Sequence, residues 1–117
     1  MTKIIRDEGE KAAWRRLLDF VDDFRGSSVA GKRSLITEQA PLCGNSRFDA
    51  ALAGIVEYLC TESHLAIPAW TTEPARFAEP WWFVSGQRGY EAMALRDSPA
   101  ALSRHGVFVN DGAFVRV

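Results

Sequence analysis

The stretch from Ser46 to Glu62 constrains this chain more than any other, because it is apolar on nearly every side of a helix. Phe48, Leu52, Ile55 and Leu59 recur at steps of three and four and form one stripe. Ala50, Ala51, Ala53, Gly54 and Val56 leave the remaining faces small and apolar, with little polar beyond Arg47 and Glu57. A helix without a polar face belongs inside a protein, so other elements must cover it. Ser46 followed by Asp49 resembles a capping box at its start, with Asp in place of the usual Glu or Gln.

The first cover is a helix from about Glu8 to Arg25. Trp14, Leu17, Leu18, Val21 and Phe24 share one face, Asp7, Glu8 and Glu10 suit the positive end of its dipole, and Gly26 stops it. Ser27 or Ser28 caps a second, shorter helix over roughly Val29 to Gln39, with Val29, Leu35 and Ile36 as its main apolar content. Pro41 and Gly44-Asn45 then break the chain.

From Leu65 to Pro80 the pattern changes. Pro68, Pro74 and Pro80 fall at six-residue intervals with Trp70 and Phe77 between them, which reads as an ordered, extended connection carrying one helical turn after Thr72. A helix from about Gln87 to Leu95 follows, and Asp97 or Ser98 caps another short one with Pro99 in its first turn and Gly106 beyond its end. Two β-prone runs around Asn110-Asp111-Gly112 read as a C-terminal hairpin, with a capped helical turn as the competing reading. The expected fold is mainly α, an irregular bundle of about five helices with a small C-terminal β-hairpin, in one domain over residues 1–117.

Composition removes several function classes. With 117 residues, 47% of them hydrophobic, and a net charge of −1, the chain has enough apolar content for a core and no general attraction for polyanions. The start has no apolar signal-peptide region, and no stretch approaches the ~18 apolar residues of a membrane span, so a cytoplasmic protein is expected. Cys43 and Cys60 have no further Cys or His close by, which argues against structural zinc and for small packing residues. No cofactor or metal is expected.

The candidate chemistry is sparse. His64 and His105 could serve as general bases, but each also fits a helix end, where a positive imidazole suits the dipole. Asp19, Asp22 and Asp23, with Asp49 as a further candidate, could hold a divalent cation, although a solvated face is the ordinary reading. Arg15, Arg16, Lys32 and Arg33 are the candidates for phosphate contacts in a nucleic-acid-binding alternative, offset by the nearby aspartates. A helix-turn-helix fails because the apolar third helix carries no side chains suited to base edges. Gly86-Gln87-Arg88-Gly89 is too short for a dinucleotide loop and reads as a turn.

Aromatic clustering is the stronger signal. Three of the four tryptophans, Trp70, Trp81 and Trp82, fall within thirteen residues. Adjacent Trp81 and Trp82 cannot both enter one core pocket from a regular element, so one of them is a candidate for exposure at a binding surface. The alternative is that both pack on opposite sides of one element. Trp70, Trp81, Trp82 and Phe83 are therefore the candidate partner-binding residues.

Residues about 40–110 also carry Pro68-Ala69-Trp70, Glu73-Pro74, Phe77, Trp81-Trp82-Phe83-Val84, Ser98-Pro99-Ala100-Ala101 and His105-Gly106-Val107-Phe108-Val109. This text resembles small actinobacterial domains of the kind found as the partner half of toxin–antitoxin-like pairs. Those domains occur alone or behind an XRE-type DNA-binding domain, which this chain lacks. The resemblance implies a non-catalytic, antitoxin-like protein that binds and neutralises a nucleotidyltransferase-like toxin, and it supplies no catalytic motif.

Overall fold

The computed structural model describes residues 10–37, 45–78, 81–84, 94–95 and 98–109. Four α-helices have their bounds among them: α1 (Glu10–Arg25), α2 (Val29–Thr37), α3 (Ser46–Ser63) and α4 (Ala100–Arg104). Two 3₁₀ turns, Ala69–Thr72 and Pro74–Arg76, lie between α3 and a short strand β1 (Trp82–Phe83), and α4 leads into β2 (Val107–Phe108). The fold is mainly α, as the periodicity implies.

Helix α3 is the centre. Phe48, Ala50, Ala51, Ala53, Ile55, Val56, Leu59 and Cys60 are buried, which is where a helix apolar all round has to lie. On α1, Leu17, Val21 and Phe24 are buried, with Trp14 and Leu18 at the margin, so its sequence stripe is its packing face. Helix α4 also crosses close to α3. A Cβ at Gly54 would sit 3.2 Å from Leu102 Cα, so the missing side chain is what lets the two backbones approach.

Several local expectations change. The N-cap of α3 is Asn45, whose side chain accepts from Arg47 N at 3.0 Å, one position before Ser46. Ser98 does not cap α4. Its hydroxyl accepts from Val109 N at 2.7 Å and donates to Val109 O at 2.9 Å, clamping the end of β2, while Pro99 takes the cap position. Ser28 does cap α2, accepting from Gly31 N at 3.2 Å. Of the apolar residues expected to seat α2, only Ile36 is buried, and Val29 and Leu35 are exposed.

The strands pair in parallel, Trp82 with Val107 and Phe83 with Phe108. The partner seen for Val107–Phe108 is thus the Trp-Trp segment. The far arm of the expected hairpin, residues 110–117, lies outside the described residues, as do Cys43 and most of the helix expected over 87–95. No helix among the described residues is long and apolar enough to cross a membrane.

Candidate aromatic docking site

Successive side chains of extended backbone point to opposite faces, and this separates Trp81, the residue just before β1, from Trp82, the first of β1. Trp82 points inward, only 8% exposed, with its ring 5.0 Å from Phe48 and edge-on to Trp14 at 5.8 Å. Trp81 lies on the other face and is 61% exposed. Its ring rests 5.0 Å from Phe108, and the half-buried Phe83 stacks on the same Phe108 at 5.1 Å with planes 20° apart. Phe77, 38% exposed, stacks on His105 at 4.4 Å and 15°. Phe77, Trp81 and Phe83 therefore follow one another along a single support, the segment His105–Phe108. They form an aromatic ledge.

Gly106 fixes where that ledge runs. Its φ of +78° lies in the region that favours glycine, and a Cβ there would come 2.7 Å from Ala78 O and 3.1 Å from Trp81 Cδ1. Hydrogen bonds from Ala78 N to His105 O (2.7 Å), Trp82 N to Gly106 O (2.8 Å) and Val84 N to Phe108 O (3.0 Å) tie the two segments together.

Beneath the ledge lies a buried polar network that pattern reading did not assemble. His105 Nε2 is 2.9 Å from Glu57 Oε1, and His105 Nδ1 donates to the Arg76 carbonyl. Arg104 Nη2 donates to Glu57 Oε2 at 3.0 Å. Burial pushes the Glu57 carboxyl up, but hydrogen bonds from His105 and Arg104, the His105 charge and the polar Thr71 hydroxyl outweigh it and hold that carboxyl below its ordinary value. Glu57 is thus a carboxylate, able only to accept. Since the Arg76 carbonyl is also an acceptor, His105 satisfies both neighbours only by donating from both nitrogens, as an imidazolium. A ring with both nitrogens committed and 1% exposure offers no lone pair to a substrate.

Arg76, fully buried, lies 4.8 Å over the Trp70 ring, with Nη1 3.5 Å from Asp49 O and 3.9 Å from Asp49 Oδ1. Trp70 is buried and donates from Nε1 to Ile36 O at 3.0 Å, which makes it a core pin between the first 3₁₀ turn and α2. One edge of it lines an open cavity of about 540 Å³ with Arg33, Ile36, Leu65 and Ile67. The C-terminal ends of α2 and α3 reach the same region, so Arg33 and two negative dipole ends give the cavity no single sign of charge.

The other candidates disperse. His64 is an exposed C-cap of α3 with φ +59°. Asp19, Asp22 and Asp23 are exposed on α1 whereas Asp49 is buried beside Arg76, and no group of three metal-capable residues exists among the described residues. Arg15 and Arg16 are exposed on α1, while Lys32 sits 5.7 Å over Phe24, eight or nine residues further on, about 12–13 Å along the axis at ~1.5 Å per residue. Arg33 faces the cavity, so the four cations do not make one patch. Burial, and then the Glu57 charge, push the Cys60 thiol up, which makes it a packing residue of low reactivity.

Sequence reasoning placed Trp81 and Phe83 at the site and missed Phe77 and the whole support. The signal for that support was Glu57, a lone carboxylate in the middle of an apolar helix. Set against family models, curated proteins and solved structures, the chain matches none of them.

Proposed function

We propose that this protein is a non-catalytic interaction component, working in the cytoplasm, that docks a partner protein on the ledge of Phe77, Trp81 and Phe83. The observation that carries this reading is Trp81, a tryptophan 61% exposed immediately before strand β1, whose neighbour Trp82 is buried. An indole fixed at its base and open at its tip suits an interface anchor, because a partner gains a large apolar area without ordering a flexible side chain. The resemblance noted in the sequence narrows the partner to a nucleotidyltransferase-like toxin, which the protein would neutralise as an antitoxin does.

The test is a tagged pull-down from the native host with wild type and Trp81→Ala, both checked for unchanged circular dichroism. A stoichiometric protein lost with Trp81→Ala is the expected result. Equal retention of every captured protein by the variant would overturn the reading.

A further inference from the structure

The ledge and the buried network share one residue. His105 carries Phe77 on its ring face, receives Ala78 N on its carbonyl, and precedes the Gly106 against which Trp81 lies. The same imidazole bridges Glu57 on α3 and the Arg76 carbonyl at the end of the second 3₁₀ turn. We infer that His105 is the positioning residue of the docking ledge, setting Phe77 and Trp81 only while its ring donates from both nitrogens. This rests on the docking reading for its biological meaning, and it names what regulates that site.

The groups that face His105 leave the ring little freedom. From α3 comes Glu57, with Cys60 one turn on and raised in part by the Glu57 charge. The 3₁₀ turn supplies the Arg76 carbonyl, whose own guanidinium is directed to Asp49 and Trp70. Arg104 of α4 bonds the far oxygen of Glu57, and the Thr71 hydroxyl, which donates to Pro68 O at 2.9 Å, adds to the polar surroundings that favour the carboxylate. With those donors on Glu57, the carboxylate has no proton to lend. When the ring loses a proton, one nitrogen therefore turns a lone pair on an acceptor, a repulsion in a site only 1% exposed. Relief requires the ring to leave either Glu57 or Arg76, and Phe77 and Gly106 move with it.

The experiment follows the free protein by NMR as pH is raised until the His105 ring gives up a proton. It reads the His105 ring signals and the Trp81 indole N–H, the latter assigned by its loss in Trp81→Phe. The expected result is that both shift along one titration curve. Glu57→Gln is the second arm, because its amide can donate to a neutral ring or accept from a charged one. In that variant the Trp81 shift is expected to disappear while the indole keeps its low-pH position. An indole that stays put while His105 titrates, a ring that never titrates, or a full Trp81 shift surviving in Glu57→Gln each overturns the inference. A static ledge with the partner still lost by Trp81→Ala overturns the coupling and leaves the docking reading standing. A moving ledge with every partner kept by Trp81→Ala supports the coupling and overturns the docking reading.

Discussion

Around α1 and the first half of α3 the buried side chains are mostly apolar, among them Leu17, Val21, Phe24 and Phe48, with Asp49 the charged exception, whereas around the turns and α4 they include Arg76, Thr71 and His105, with Glu57 of α3 facing them. The first region is held mainly by apolar area, with a surface ion pair from Arg25 Nη2 to Glu62 Oε2 at 2.8 Å joining α1 to α3. Its helices bury stripes that any partner of the right volume would satisfy. The second is short, irregular and held by directed bonds, each with one correct partner. Irregular chain leaves backbone and side-chain polar groups to be matched individually, and such matching fixes geometry more sharply than oil-like contact does. It is the second region that carries the exposed aromatics. Rings carried on directed bonds, as Phe77 is on His105, are held at more definite angles than rings carried on an adaptable core.

Breaking the apolar region should cost most. Phe48 is buried on α3 and touches Trp82, so it joins the two regions. Phe48→Ala is expected to destabilise the protein by about 3–5 kcal/mol in urea unfolding, the range for a buried aromatic that leaves a cavity. A loss under about 1 kcal/mol would mean that α3 is not the centre of a close-packed core.

In the polar region the damage depends on chemistry as well as on volume. Glu57→Ala leaves the buried His105 facing no carboxylate and is expected to cost about 3 kcal/mol, as removal of one member of a buried charged pair does. Glu57→Gln should cost clearly less. The two also separate by pH. The folded Glu57 carboxyl is held below its ordinary value, so its contribution is full above the unfolded carboxylate range and is lost as pH falls through the folded value. The urea-midpoint gap between wild type and Glu57→Gln should therefore narrow on acidification. A gap that is constant with pH would place the stabilisation elsewhere.

Glycines sharpen the comparison. Gly106→Ala meets both a left-handed φ and the Ala78 carbonyl, and is expected to cost about 1–3 kcal/mol and to displace Trp81. Gly54→Ala, in a helical backbone against Leu102 at 3.2 Å, should fall toward the lower end of the same ~1–3 kcal/mol range, because helix propensity favours alanine there. Circular dichroism and unfolding of the pair would show whether backbone shape or volume is the stricter demand.

The helical region was legible in the sequence because its rule is periodic. Trp14, Leu17, Val21 and Phe24 announce a face, and the all-round apolarity of Ser46–Glu62 announces the centre. Caps were read to within a residue, with Asn45 displacing Ser46 because its amide reaches Arg47 N. The polar region follows no period. Glu57 meets His105 across 48 positions and Arg104 across 47, and no spacing rule pairs such residues. The short strand β1 was also hidden, since two residues cannot show alternation. Only the impossibility of burying Trp81 and Trp82 together hinted at it.

Those adjacent tryptophans give the smallest expected change in stability beside one of the larger ones. Trp82→Ala empties a site against Phe48 and Trp14 and should cost about 3–5 kcal/mol. Trp81→Ala removes a ring that touches Phe108 and Gly106 but is mostly in water, so about 1 kcal/mol or less is expected in the same unfolding assay. Equal losses would mean that Trp81 belongs to the core of the strand pair and is not held out for a partner. Near-neutrality would mean that folding gains little from this indole, which is the condition the docking reading of Trp81 requires.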